Sequence, residues 1–600
     1  MKKAIVIILI LIVVGAGVAY YMTQMRGKET SLLPGLGTTK STKAAPEPSG
    51  LLTYIPDTAA LCVSFSDIGS LKTLIENSNY YKTLSSTPVW QKWTSEMDML
   101  TQMALKNRQL EAGVESEPPD LGLIWKLLGD DIAIAFMPGL EPDAWTFAMV
   151  AKVKDAASLT KIVTFVKDSA KAEGFALTDE EYKGETVSKG ARSEGVGEFY
   201  ICETNGMLTT STGVGAMHSV LDLISSGKPE GSLAATKEYK SLAGELKGGH
   251  LGELYMKLGT NMNSMFTSLA AMEGMPVQTG ADGVPKMAGD SLTRLYLKDG
   301  LQFESYSMLD TVKSDPKIVS FYRFEPNDLP LLSVVPQDST LVSVLNCLDS
   351  KAAYEMAIDS AMSQNPMAAV MLSGFITELD RKMGVSLTED ILPVVGPDVA
   401  FYFKGMSFKQ NLPLPEFGFA CNSSNPSVLY NAFPKVGDHL LSFAEDKAPD
   451  AKHVDEVYRG YPIHQIKLTT PIGDMSLAAA VVDDKFLMGF GREQVDMMID
   501  SLDGEHPRFK DQEQFTSMKS KYPDKSNQIV YMDSESLWRQ LRSTIELYSQ
   551  SSDADLKETF EFVDVLVKPM KAILTTSIYE HPSENVAAQR TYGHIKIEAE

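Results

Sequence analysis

Cysteine is scarce in this 600-residue chain, with four in all, which excludes a scaffold held together by disulfides. Cys62, Cys202, Cys347 and Cys421 lie far apart and no Cys-x-x-Cys occurs, so zinc-ribbon and thioredoxin-like chemistry lose their spacing. Apolar neighbours, as in Leu61-Cys62-Val63, fit small buried hydrophobes instead. Positive charge is also short: 55 Lys+Arg against 78 Asp+Glu leave a net charge of −23. Such a surface repels phosphate backbones, and nucleic acid is not an expected partner. Long apolar runs are nearly absent, with one near the N-terminus and a mean hydropathy of −0.09, which excludes a polytopic membrane protein. Catalytic signatures are missing as well. None of the eight histidines belongs to a His-Glu-x-x-His, and no Gly-x-Ser-x-Gly occurs. The expectation is a protein with no catalytic residue, cofactor or metal.

What is present begins with Met1-Lys2-Lys3 followed by an uncharged run from Ala4 to Met22, about 28 Å of helix and enough to span a bilayer. The lysines before it place the N-terminus in the cytoplasm and export the rest. A cleaved signal peptide ending near Gly17-Val18-Ala19 is the competing reading, and it too exports the body. Residues 1–26 are therefore an anchor or signal sequence. Residues 27–50, rich in Ser, Thr, Pro, Gly and Ala, cannot bury a core and form a flexible linker.

The rest is internally repetitive. Leu51 to Leu61 is echoed by Leu331 to Leu341, placing Pro56 against Pro336. Gly129 and Asp131 match Gly396 and Asp398; Tyr182-Lys183-Gly184 matches Tyr458-Arg459-Gly460; and Leu221 to Gly227 aligns with Met498 to Gly504. The expectation is two duplicated units, 51–325 and 326–600. Within each, a helix signal, at Thr87-Pro88 or Asn365-Pro366, is followed by runs of short strands, such as Ile132 to Met137 and Thr146 to Val153. Each unit closes on a hairpin: Leu292–Leu297 with Leu301–Met308, and Ala572–Tyr579 with Ala588–Ile597. Strands in runs predict the α+β class, with a largely antiparallel sheet in each unit packed by helices.

The anchor, the tether and the motifs Leu51 to Ala59, Leu128 to Ala133 and Tyr182 to Gly184 resemble an uncharacterised family of bacterial envelope proteins known only as a domain of unknown function. That resemblance implies a bacterial protein of the inner membrane, single-pass, with a periplasmic body, and it implies no activity.

Several residues invite a sharper reading. His453 and His464, with Asp455 and Glu456 between them, could form a metal site in the second unit, but strand or loop ligands need a specific fold to converge. The acid pairs Asp130-Asp131 and Asp483-Asp484 sit at turns, where adjacent side chains diverge. Methionine clusters on predicted helices fit core packing, or else an adaptable apolar groove. The reading that results is a non-enzymatic binding or scaffolding protein held to the membrane by its N-terminal helix, with an envelope protein or hydrophobic ligand as partner. A carrier or sensor of a lipid-like ligand is the alternative, and a hydrolase whose site is scattered through the sequence is the second.

Overall fold

The computed structural model describes residues 50–66, 131–139, 145–153, 155–172, 175–192, 198–258, 286–297, 300–364, 384–409, 412–442, 451–470, 473–548 and 570–597, with isolated positions at 82–91 and 370–381. The apolar run 4–22, the linker up to residue 49, Gly129, the Thr87-Pro88 helix start, the Asn365-Pro366 helix start and the Met262–Met275 cluster lie outside the described residues. Among the described residues, no helix is long and apolar enough to cross a membrane.

The first half of the chain contributes β1 (Leu61–Phe65), β2 (Ile132–Pro138), β3 (Trp145–Lys152), β4 (Phe175–Tyr182), β5 (Glu185–Arg192), β6 (Glu198–Thr204), β7 (Met207–Ser211), β8 (Gly252–Leu258), β9 (Gly289–Leu297) and β10 (Leu301–Asp310). The second contributes β11 (Leu341–Leu345), β12 (Val395–Lys409), β13 (Leu412–Ser423), β14 (Ala451–Tyr458), β15 (Tyr461–Thr470), β16 (Gly473–Val482), β17 (Lys485–Phe490), β18 (Gln528–Met532), β19 (Met570–Ser583) and β20 (Val586–Ile597). Their ladders are all antiparallel. In the first half they run β4-β5-β6-β7-β3-β2-β1-β8-β9-β10. In the second they run β14-β15-β16-β17-β13-β12-β11-β18-β19-β20. The two orders are the same, strand for strand. The pairing of β10 with β20 joins them.

The protein is thus α+β, but its described strands form one sheet of twenty where the sequence suggested a sheet in each unit. The reason is physical. The closing hairpin of each half leaves β10 and β20 with one open edge of unpaired amides and carbonyls, and pairing the two edges satisfies both.

Helices cover both faces. In chain order they are α1 (Ala156–Ala172), α2 (Val214–Ser226), α3 (Lys237–Glu245), α4 (Pro316–Ser320), α5 (Ser350–Gln364), α6 (Pro426–Ser442), α7 (Arg492–Asp503), α8 (Glu513–Lys519) and α9 (Ser534–Tyr548). On one face, α2 buries Met217, Val220, Leu221 and Ile224 at helical spacing, and α3 adds Tyr239 and Leu242. The equivalent helices α7 and α8 bury Val495, Met498 and Ile499, and Phe515 and Met518. Successive strand residues alternate between faces, so Cys62 joins this layer while Leu61 packs opposite, with Leu159 of α1. Strand β2 is buried on both faces, six consecutive residues from Ile132 to Met137, which explains its unbroken apolar run. All four cysteines are buried free thiols, and burial pushes the Cys202 thiol up to about 11 and that of Cys421 to about 12.

Candidate functional site

The seam between β10 and β20 runs through ten register pairs, Leu301↔Ile595 to Asp310↔Val586. Its symmetry follows from the ladders. Glu253, Arg294 and Glu304 face one another across β8, β9 and β10. Ile529, Thr576 and Tyr592 do so across β18, β19 and β20. Glu304 and Tyr592 therefore hold equivalent places, and they are also each other's partners. A local two-fold passes between them.

Both faces of the four central strands, β9, β10, β19 and β20, bury polar side chains among apolar ones. On one face, hydroxyls pair across the ladders: Ser291 with Ser307 at 2.7 Å, Thr293 with Ser305 at 3.0 Å and Ser577 with Thr591 at 3.1 Å. On the other, the Arg590 guanidinium donates to the Glu304 carboxylate (3.0 Å) and to the carbonyl and carboxylate of Glu245 at the end of α3 (2.8 Å each). It also lies over the Tyr306 ring, 4.6 Å from the centroid. Arg590 thereby ties the second half of the sheet to a helix of the first. Burial nevertheless pushes the Glu304 carboxyl up, with Arg590 opposing.

Next to the seam, in the first half only, lies a denser charged cluster. Glu253 is 2% exposed and Arg294 fully buried. One carboxylate oxygen of Glu253 accepts from Arg294 Nε (2.9 Å) and His250 Nε2 (2.6 Å), the other from the Tyr239 hydroxyl (2.6 Å). Arg294 also donates to the carbonyls of Leu246 and Lys247 just past α3 (3.0 and 2.9 Å), satisfying groups a helix end leaves open. Burial acts to raise the Glu253 carboxyl, but the hydrogen bonds and charges of its partners prevail and hold it below the usual carboxylate range. The second half puts Phe515, Ile529 and Thr576 in the places of Tyr239, Glu253 and Arg294.

The residues that carry the repeat are structural joints. Pro56 bridges to Ser232 and Pro336 to Arg508, each tying the start of its half to the segment between its helix pair. Lys183-Gly184 and Arg459-Gly460 are the turns of the β4–β5 and β14–β15 hairpins, with φ of 51° and 86°, and 49° and 88°. Positive φ at both central residues gives the tight hairpin turn and favours glycine. The tyrosine before each turn reaches a helix: the Tyr182 hydroxyl donates to Asp222 of α2 (2.9 Å), and that of Tyr458 to Asp500 of α7 (3.0 Å). Lys183 and Arg459 bind the same carboxylates, both at 2.6 Å. Asp222 and Asp500 are thus equivalent, which corrects the sequence alignment of these helices by one residue. That alignment matched the terminal glycines, Gly227 and Gly504, but α7 is a residue shorter than α2. Asp398 accepts from the amides of Asn327 (3.2 Å) and Asn422 (3.0 Å), and Gly396 lies where an added Cβ would meet the Asn422 carbonyl at 2.8 Å. The carbonyl of Asp131 accepts from the Lys152 amide at 2.9 Å.

His453 and His464 do converge. The β14–β15 register sets Asp455 opposite His464, with His453 two residues along on the same face. His464 Nδ1 lies 2.7 Å from the Asp455 carboxylate and its Nε2 lies 2.9 Å from His453 Nδ1. Among the described residues no group of three or more His, Cys, Asp or Glu side chains is placed to hold a metal ion. A surface depression of about 310 Å³ lies between Gly504 and Asp511, lined by Glu505, His506 and Arg508 among others, and is too polar for a lipid-like ligand.

Fold and joints together define an α+β protein built on one antiparallel sheet with matching halves. Residues 124–418 match the family described as Protein of unknown function (DUF3352), so the likeness to a domain of unknown function holds across the middle of the chain, from just before β2 into β13. No curated protein and no solved structure matches the chain.

Proposed function

We propose that this is a non-enzymatic binding or scaffolding protein of the bacterial cell envelope, anchored in the inner membrane by residues 4–22 and carrying an extracytoplasmic body on a flexible linker. The observation that carries this reading is the seam. Two matching halves share one sheet, locked by Arg590 to the end of α3, and such a continuous platform offers broad surfaces for contact. The anchor, the positive residues before it and the net charge of −23 fit a body held away from an anionic membrane surface. Protease treatment of spheroplasts tests the location. The expected result is a membrane-fraction protein digested from outside, and recovery of a protected protein in the soluble cytoplasmic fraction would overturn it. Cross-linking in intact cells, followed by purification of the full chain, tests the role. A reproducible envelope partner is expected, and cross-linking to nothing would overturn the scaffold.

A further inference from the structure

We propose that His453 and His464 form a binding site for a divalent transition-metal ion of the zinc class, with Asp455 orienting one of the ligands. The three side chains share one face of the β14–β15 hairpin, whose register is fixed by the Arg459-Gly460 turn and its anchorage to Asp500. Geometry supplies the first argument. Two imidazoles bound to a tetrahedral zinc ion at about 2.0–2.1 Å hold their nitrogens about 3.3 Å apart. His453 Nδ1 and His464 Nε2 are already 2.9 Å apart, so a ring movement of a few tenths of an ångström opens room for the ion.

The second argument is the set of groups around the pair. Asp455 accepts from His464 Nδ1, which leaves Nε2 as the lone-pair nitrogen and aims it at His453. A carboxylate behind a ligating histidine is the usual outer partner in metal sites. The His464 ring is held edge-on by Tyr430 and Phe433 of α6 and is 7% exposed, so it is positioned before any ion arrives. His453 and Asp455 are exposed, leaving solvent access and room for water to complete the coordination. On binding, His453 moves its ring proton from Nδ1 to Nε2, and Nδ1 offers its lone pair in place of the hydrogen bond. No net proton is released. Borderline-soft ions such as Zn²⁺, Ni²⁺ and Cu²⁺ suit imidazole, whereas Ca²⁺ and Mg²⁺ prefer oxygen.

The first half shows what the hairpin looks like without the site. The positions equivalent to His453, Asp455 and His464 are Leu177, Asp179 and Ser188, and there the Ser188 hydroxyl donates to Asp179 at 2.6 Å. The aspartate and its cross-strand partner serve hairpin structure in both halves, while the imidazole pair is confined to one.

Calorimetric titration of the full chain in detergent with ZnCl₂ tests the site, with MgCl₂ as reference. The expected result is a binding event specific to Zn²⁺ that weakens at least about ten-fold in His453→Gln, an exposed position whose loss leaves the fold intact, and about ten-fold in Asp455→Asn. His581→Gln, exposed and remote in sequence, should leave it unchanged. Equal Zn²⁺ affinity in wild type and His453→Gln, or no Zn²⁺ binding by the wild type, would overturn the proposal. So would an unaltered affinity in Asp455→Asn, by removing the role given to the carboxylate.

Discussion

The two halves of the sheet use the same strand order and the same joints but fill equivalent positions with different chemistry. Beside the seam, the first half buries Tyr239, Glu253 and Arg294 where the second buries Phe515, Ile529 and Thr576. At the outer hairpin the second half is the more polar: Leu177 and Ser188 in the first half, His453 and His464 in the second. A topology can thus be kept while its interior is rewritten, provided each buried polar group keeps its partners. The charged cluster has a task the apolar one lacks. Arg294 and Arg590 both bind the end of α3, so the first half supplies the dock onto which the second is fastened.

The largest expected effect comes from breaking this contrast inside the cluster. Arg294→Met leaves Glu253 buried with His250 and Tyr239 but without its guanidinium partner and should cost about 3–5 kcal/mol in denaturant unfolding. The combined change Glu253→Ile, Arg294→Thr and Tyr239→Phe, which installs the second half's residues at these three places, should recover most of that loss, to within about 1–2 kcal/mol of wild type, because the carboxylate and the guanidinium leave together and only His250 loses a partner. A triple variant as unstable as Arg294→Met would show that the two interiors are not interchangeable. The same cluster sets a pH dependence. Because the folded Glu253 carboxyl is held below its unfolded value near 4.5, its contribution is present above that value and is lost as the pH falls through the folded one. Hydrogen exchange on acidification should therefore open β8, β9 and α3 before their equivalents β18, β19 and α8.

A smaller effect is expected at the seam itself. Arg590→Met removes the donor to Glu304 and to the end of α3 and should destabilise the chain by about 2–3 kcal/mol. Glu304, already pushed up by burial, can take a proton and soften the loss. Its raised value makes this part of the cost grow as the pH rises through it. Measurement at two pH values, one on each side of the carboxylate range, separates the contributions of Glu304 and Glu253, whose signs are opposite.

Much of the architecture is legible in the residues. The paired Pro56 and Pro336, the Tyr-x-Gly turns and the apolar run of β2 report local backbone demands, which a sequence states directly. The joining of two sheets into one is not legible, because nothing in β10 or β20 says which edge its free amides will meet. The one-residue slip between α2 and α7 was hidden for a related reason. A terminal glycine is a louder signal than the buried face, yet the face and the Tyr458–Asp500 bond set the structural register. The convergence of His453 with His464, eleven residues apart, became visible only with the hairpin register, since a shift of one residue would place them on opposite faces. Glu253 and Arg294, 41 residues apart, carried no motif; the only available signal was a glutamate near the start of the strand Gly252–Leu258, whose other charged residue is Lys257.

The smallest predicted effects lie where the halves agree. Tyr182→Phe and Tyr458→Phe each delete one hydroxyl-to-carboxylate hydrogen bond while keeping the ring, and each should cost about 1 kcal/mol. Removing the neighbouring cation, by Lys183→Ala or Arg459→Ala, should cost less, about 0.5 kcal/mol, because these ion pairs are partly exposed and screened. The comparison within each pair carries the meaning. Equal costs for the two tyrosines would mean that the hairpin joint is a common device, independent of the interior beneath it. Asp222 and Asp500 sit on helices whose buried faces differ in sequence but superpose in register, so each carboxylate meets its hairpin from the same place. A cost at Tyr458 several-fold above that at Tyr182 would instead tie the second joint to the adjoining histidine pair, since Tyr458 ends the strand that carries His453 and Asp455. Unfolding of the two single variants and their double, with additivity expected for sites at opposite ends of the sheet, distinguishes the two outcomes.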